Sequence, residues 1–422
     1  MEIENASAGG RGALSDPSKS LAPHHRSKPS RRVDTAAHSR DPGGMSPRHS
    51  PDVRLGGETY ARAGQRRRLA CMQLTHLATA TLLALSPALQ AQQAMPDPQM
   101  QAVLDELTVL NGQPIALLSP EEARKQPSPA DAVLKLMKKL DIKGPEPVGD
   151  VDNKSVKLGA GHDIDVRIYT PKGDGPFPVI LYIHGGGWVI ADLDTYDSSP
   201  RALCNAVGAV VVSTAYRQAP EHKFPAAHED VFAIYQWVLK NEEKRNYDAT
   251  RLAVVGESAG GNMAAAISLM ARAEGVPLPV RQVLVYPVVA PGNMTSPSYL
   301  ENAEAKPLNK AMMEWFATHA LATREDRRDP RLSLLMAGDA LKSMPATTII
   351  LAQIDPLRSE GEELAKALME AGVKVNQKTY PGVTHEFFGM GAVVDKAREA
   401  VGFAAADLRA AFGTKPEPSG GE

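Results

Sequence analysis

The chain has only two cysteines, Cys71 and Cys204, among 422 residues. That excludes a disulfide framework and a cysteine-built zinc cluster. The fold must rest on its apolar residues, 43% of the chain, which suffice for one large α/β domain or two ordinary ones. Strong charge of one sign is also missing. The basic excess is confined to residues 1–70, with 13 Lys and Arg against 7 Asp and Glu. This is a net of +6, so against −2 for the whole chain the remainder carries −8. An acidic globular part excludes a nucleic-acid partner of the usual basic-patch kind. The nine-residue run Leu77–Leu85 is too short for a stable membrane span, and no internal repeat is present.

Residues 1–65 are rich in Pro, Gly, Ser, Arg and His without apolar periodicity, and read as a disordered or non-native leader. Residues 66–91 combine Arg66-Arg67-Arg68, the apolar run and small residues up to Ala91, the pattern of a secretory signal. Its distance from Met1 suggests a later start. Met72 is one candidate, although starting there would lose the arginines. The expectation is a mature chain from near Gln92 in the periplasm or outside the cell, the alternative being a cytoplasmic protein with a disordered lead. Residues 416–422 read as a disordered tail.

Between residues 92 and 150, Pro96–Leu110 carries apolar residues at helical spacing with Asn111-Gly112 as a stop, and two helix starts follow, Ser119-Pro120-Glu121-Glu122 and Ser128-Pro129-Ala130-Asp131. Each start couples a capping side chain to a proline at the first turn. This segment is read as a helical cap over a site, or else as an appendage packed on a sheet edge. From Val156 the pattern turns to β-branched runs: 164–169, 178–183, 209–214, 252–255, 282–286, 347–351 and 375–379. They alternate with helical stretches at 200–207, 226–240, 263–273, 310–321, 361–371 and 394–412. Such alternation, with middle strands apolar on both faces, predicts a mostly parallel sheet covered on both sides by helices. Ligands in such sheets bind beyond the carboxyl ends of the strands.

Three motifs fall at those ends. Gly256-Glu257-Ser258-Ala259-Gly260 closes a strand and opens a helix, the context of a nucleophile elbow. His184-Gly185-Gly186-Gly187-Trp188 follows an earlier strand, and its glycines let backbone amides approach a developing oxyanion. A serine hydroxyl needs an adjacent base held by a carboxylate. His385 and Asp355-Pro356 follow the last two strands and supply them in the order Ser, Asp, His. Glu386 competes with Asp355 for the histidine, but adjacent side chains diverge. Glu257 is read as a buried hydrogen-bonding carboxylate that shapes the elbow, and Cys204 as a small buried apolar residue.

Together with Tyr216-Arg-Gln-Ala-Pro-Glu221, Phe224-Pro-Ala-Ala227 and Asp355-Pro-Leu357, these motifs make residues 151–415 resemble the hormone-sensitive-lipase-like esterases. These are the bacterial family IV carboxylesterases of the α/β-hydrolase fold. The resemblance implies Ser258 as nucleophile, His385 as general base and then acid, and Asp355 as its orienter. The oxyanion amides would be those of Gly186, Gly187 and Ala259, supported by His184, Gly185 and Glu257. It also implies an amino-terminal helical cap, to which 290–345 could add. The expected substrate is a short- to medium-chain carboxylic ester, and the expected cofactor and metal are none. A homodimer is compatible with the resemblance, and no membrane span is expected. The same triad would also serve a lactonase, an amidase or an acyltransferase, and related hydrolase homologues only bind ligands. Glu257 stands where many members have Asp, and Glu386 where many have Gly.

Overall fold

The β-branched runs pair into an eight-stranded sheet: β1 Asp150–Lys157, β2 Asp163–Thr170, β3 Phe177–Ile183, β4 Val210–Thr214, β5 Tyr247–Glu257, β6 Gln282–Val285, β7 Thr347–Ile354 and β8 Val375–Thr384. Their spatial order is β1-β2-β4-β3-β5-β6-β7-β8. β1 and β2 are antiparallel to their neighbours, and every pairing from β4 to β8 is parallel. The computed structural model describes residues 94–159, 161–241 and 246–414, all within one compact unit, Pro87–Glu422. The leader, the signal-like segment, the start near Gln92 and the tail lie outside the described residues.

The helices of the described residues are α1 Pro98–Val109, α2 Pro120–Ala123, α3 Pro129–Lys139, α4 Ser198–Val207, α5 Ala226–Lys240, α6 Ala259–Glu274, α7 Pro297–Glu301, α8 Lys310–Ala320, α9 Arg358–Glu370 and α10 Asp395–Phe412. Both expected capping signals operate, and the first helix has a cap of its own. Asp97 accepts from the Met100 amide, while Ser119 and Ser128 form capping boxes with Glu122 and Asp131. None of these helices is long and apolar enough to cross a membrane.

The period-two alternation of the strands divides the core. Val179, Leu181 and Ile183 of β3 and Val254 of β5 face one cluster, which also takes in α5, α6, α8 and α9. Ile180, Tyr182 and Val255 face the other, with α1, α3, α4 and α10. Every residue of β3 is buried, and each fully buried aliphatic side chain contributes roughly 1.5–3 kcal/mol. Cys204 lies in the second cluster, as its neighbours suggested, with burial pushing its thiol up to about 12.

β1 escaped the sequence reading. Its residues Asp150-Val-Asp-Asn-Lys-Ser-Val-Lys157 are mostly polar, and only Val156 is buried. An edge strand with one apolar anchor lacks the alternation that marks a half-buried one. It pairs along its whole length with β2 and starts where the expected cap segment ends.

Candidate active site

The site is built from four loops that leave the carboxyl ends of β3, β5, β7 and β8. At the end of β5, Ser258 takes φ 57° and ψ −118°, a strained turn for a residue with a side chain. The flanking glycines make it feasible. A Cβ on Gly256 would sit 2.1 Å from the Gly260 carbonyl oxygen, and one on Gly260 would sit 2.0 Å from that of Ile183. Both obstacles are backbone and cannot rotate away. The turn therefore wedges against the end of β3, and α6 starts at once with Ala259, whose amide is among those a helix leaves unpaired.

The glycine loop lies against this elbow, since a Cβ on Gly185 would be 3.1 Å from the Cβ of Ser258 and 2.3 Å from the Tyr196 hydroxyl. Gly186 and Gly187 have φ of 90° and 58°. A Cβ on Gly186 would meet the Ile190 carbonyl at 2.1 Å, and one on Gly187 the Phe316 ring at 2.2 Å. The Tyr216–Glu221 stretch props this loop from behind. The Tyr216 hydroxyl donates to the Gly185 carbonyl at 2.7 Å, its ring stacks on His184 at 4.4 Å, and the Ala219 amide donates to the Trp188 carbonyl at 2.9 Å. Burial pushes His184 down to about 4, so it supports the loop as a neutral ring. Arg124, just past α2, donates to the carbonyls of Val189 and Ala219 and clamps Glu221. Trp315 on α8 donates to the Leu118 carbonyl at 2.9 Å. The 115–124 stretch and α8 thus meet beside the glycine loop, whereas α1 anchors near β8 through the Asp97 amide and the Gly382 carbonyl.

Asp355 and His385 complete the constellation. The Asp355 Oδ1 accepts from the Leu357 amide at 2.8 Å, leaving Oδ2 for the His385 Nδ1 at 2.7 Å. On the far edge of the ring, Nε2 lies 3.0 Å from the Ser258 Oγ. Hydroxyl, imidazole and carboxylate therefore touch in series, all three buried. Burial alone would depress the imidazole. The charge and hydrogen bond of Asp355 outweigh it, with help from Glu386 and Glu257, and hold His385 above its ordinary value. Such an arrangement can transfer a proton from the hydroxyl to the ring at neutral pH.

Beneath the elbow, Glu257 accepts from the hydroxyls of Tyr182 and Tyr286, each at 2.5 Å. Burial and the nearby Glu386 carboxylate push it up to about 7 despite these donors. The folded protein therefore keeps a proton that the unfolded chain releases above its value of 4.5. This contribution to stability is complete below that pH and is lost as pH rises through about 7. Glu257→Gln should flatten the fall in unfolding free energy between pH 4.5 and 7 by on the order of 3 kcal/mol, read from denaturant titrations across that range. An unchanged pH slope would place the proton elsewhere.

Four side chains of the site carried no signal in the sequence: Tyr196, Tyr286, Phe316 and Arg124. Each reaches it from a distant loop or helix, and none belongs to a motif that could have marked it.

A family profile described as the alpha/beta hydrolase fold matches residues 180–389. The ethyl acetate hydrolase of Pseudomonas putida is 35% identical over 290 residues, which are 68% of this chain and 88% of that one. The chain belongs to the hormone-sensitive-lipase-like esterases. Carboxylesterase NlhH of Mycobacterium tuberculosis is 36% identical to this esterase over 62% of its chain and 83% of the relative. Among solved structures, the hyperthermophilic esterase from the archaeon Pyrobaculum calidifontis superposes on the esterase with a TM-score of 0.67 at 34% identity. It covers 75% of this chain and 99% of its own. The esterase is accordingly a carboxylic ester hydrolase of the α/β-hydrolase fold.

Proposed function

We propose that the enzyme hydrolyses short- to medium-chain carboxylic esters through an acyl-enzyme on Ser258. The observation that carries this reading is the unbroken series from the Ser258 Oγ through His385 to Asp355, at 3.0 and 2.7 Å. Ser258 Oγ attacks the ester carbonyl carbon while His385 Nε2 takes its proton. The amides of Gly186, Gly187 and Ala259 receive the oxyanion, each donor of this kind contributing about 3–4 kcal/mol to the transition state. The carbonyl reforms, the C–O bond to the alcohol breaks, and His385 gives its proton to the departing oxygen. Water repeats the sequence on the acyl-enzyme, its proton passing to His385 and then to Ser258 as the acid leaves.

The short acyl preference is supported by the Phe316 ring against Gly187, which crowds the space beside the oxyanion amides. The name of the Pseudomonas putida relative, an ethyl acetate hydrolase, agrees with it. The 115–124 stretch and α8 would serve as the cover, and the signal-like segment would export the enzyme to meet its esters.

A fluorophosphonate probe should label the intact enzyme within minutes and leave its mass on the peptide carrying Ser258. A p-nitrophenyl ester series should peak between acetate and hexanoate. Label on another residue, or none on folded enzyme, would overturn the serine assignment. Best turnover on long-chain triglycerides would overturn the acyl preference.

A further inference from the structure

The His385 ring has a second carboxylate neighbour. Glu386 Oε1 lies 3.7 Å from Nε2, on the edge that also faces Ser258. At this distance it is an ion-pair partner rather than a hydrogen-bond partner, so in the resting site Ser258 keeps the imidazole. Two features hold the carboxylate in place. The backbone at Glu386 is left-handed, with φ 71°, which turns its side chain back toward the ring that precedes it. The Tyr196 hydroxyl then donates to the same Oε1 at 2.7 Å.

The charges around Glu386 come from every element packed on it. His385 and Asp355 lie on one side and Glu257, at the end of β5, on another. Tyr182 of β3, Tyr196, Tyr216 after β4 and Tyr286 after β6 complete the surround, all held neutral by burial. Among these groups His385 is the one that can carry positive charge. Two carboxylates without their own cation are unfavourable in such a place, and the cation arises there during the reaction.

We infer that Glu386 is a positioning residue for ester hydrolysis, a second counter-ion that stabilises the His385 imidazolium on its Nε2 edge while the proton waits to pass to the leaving alcohol. The inference rests on the serine-triad reading above. Asp355 steadies the imidazolium from Nδ1, and Glu386 does so from the edge where the proton arrives. Burial raises Glu386 as well, so the two residues titrate as a pair, and the acidic limb of the rate profile belongs to that pair.

Two variants separate charge from structure. Glu386→Gln keeps an acceptor for Tyr196 and loses the charge, while Glu386→Gly removes the side chain at a position whose backbone suits glycine. With p-nitrophenyl acetate, both should move the acidic limb of kcat/KM down by about one pH unit, since the imidazolium loses a stabilising charge. The kcat plateau should fall up to about tenfold with little change in KM, one pH unit corresponding to a factor of ten. An acidic limb unmoved in both variants would overturn the inference, whatever happened to KM. Wild-type enzyme that reacts with the fluorophosphonate probe alongside an unmoved limb would sink this inference alone. Failure of the wild type to react would sink the triad reading beneath it.

Discussion

Ser258→Gly enzyme is expected to lose about six orders of magnitude in kcat and yet unfold at a higher temperature than Ser258→Ala enzyme. The rate loss follows from the proposed mechanism, in which nucleophile, base and orienter act as a unit, so that removing the first leaves the others nothing to activate. The stability difference follows from the turn. At φ 57° and ψ −118° any side chain is strained by about 1–3 kcal/mol, and alanine keeps that strain while glycine relieves it. Glycine's greater freedom in the unfolded chain offsets roughly 0.5–1 kcal/mol of the gain. A difference near 1 kcal/mol should remain, or about 2 °C in a protein of this size. Steady-state kinetics on p-nitrophenyl acetate and paired thermal melts test both halves. Substantial hydrolysis by either folded variant would remove Ser258 from the mechanism. Equal melting temperatures would mean that the elbow is less strained than its dihedral angles imply.

The same turn marks how far the sequence could be read. Gly256, Ser258 and Gly260 were legible because their chemistry is local: a strand, a turn whose flanking glycines tolerate no Cβ, and a helix, in ten consecutive residues. The parallel sheet was legible for a similar reason, its central strands being apolar on both faces. β1 was not, because an edge strand with one buried residue leaves no pattern. Asp355 and His385 could be chosen by their order along the chain and the loops that carry them. Glu386 could not be placed, since adjacent side chains ordinarily diverge, and it required the left-handed backbone at residue 386 to bring its carboxylate to Nε2. The contact of Phe316 with Gly187 spans more than a hundred residues and depends on how α8 packs beside the 115–118 stretch. Periodicity reports which face of an element is buried, never what it is buried against. For that reason the covering elements, and the acyl pocket they bound, were the least legible part of the site.

Asp355→Asn enzyme should fold normally and lose about 10⁴-fold in kcat at neutral pH. The reason lies in the hydrogen bond on the other carboxylate oxygen. Oδ1 accepts from the Leu357 amide at 2.8 Å, and in asparagine only the amide oxygen can fill that role. The NH₂ group must then face His385 Nδ1, where Asp355 Oδ2 now accepts at 2.7 Å. A donor there obliges Nδ1 to accept, which transfers the ring proton to Nε2. Nε2 would point a proton, and no lone pair, at the Ser258 hydroxyl, with Glu386 3.7 Å away to hold it in that tautomer. The enzyme would remain intact with its base turned off. The lost negative charge also removes a stabiliser of the imidazolium, so whatever rate remains should extend to lower pH than in the wild type. Pre-steady-state acylation by p-nitrophenyl acetate measures the first effect directly, and the pH profile of the residual rate measures the second. A loss below about tenfold would remove the orienting role from Asp355.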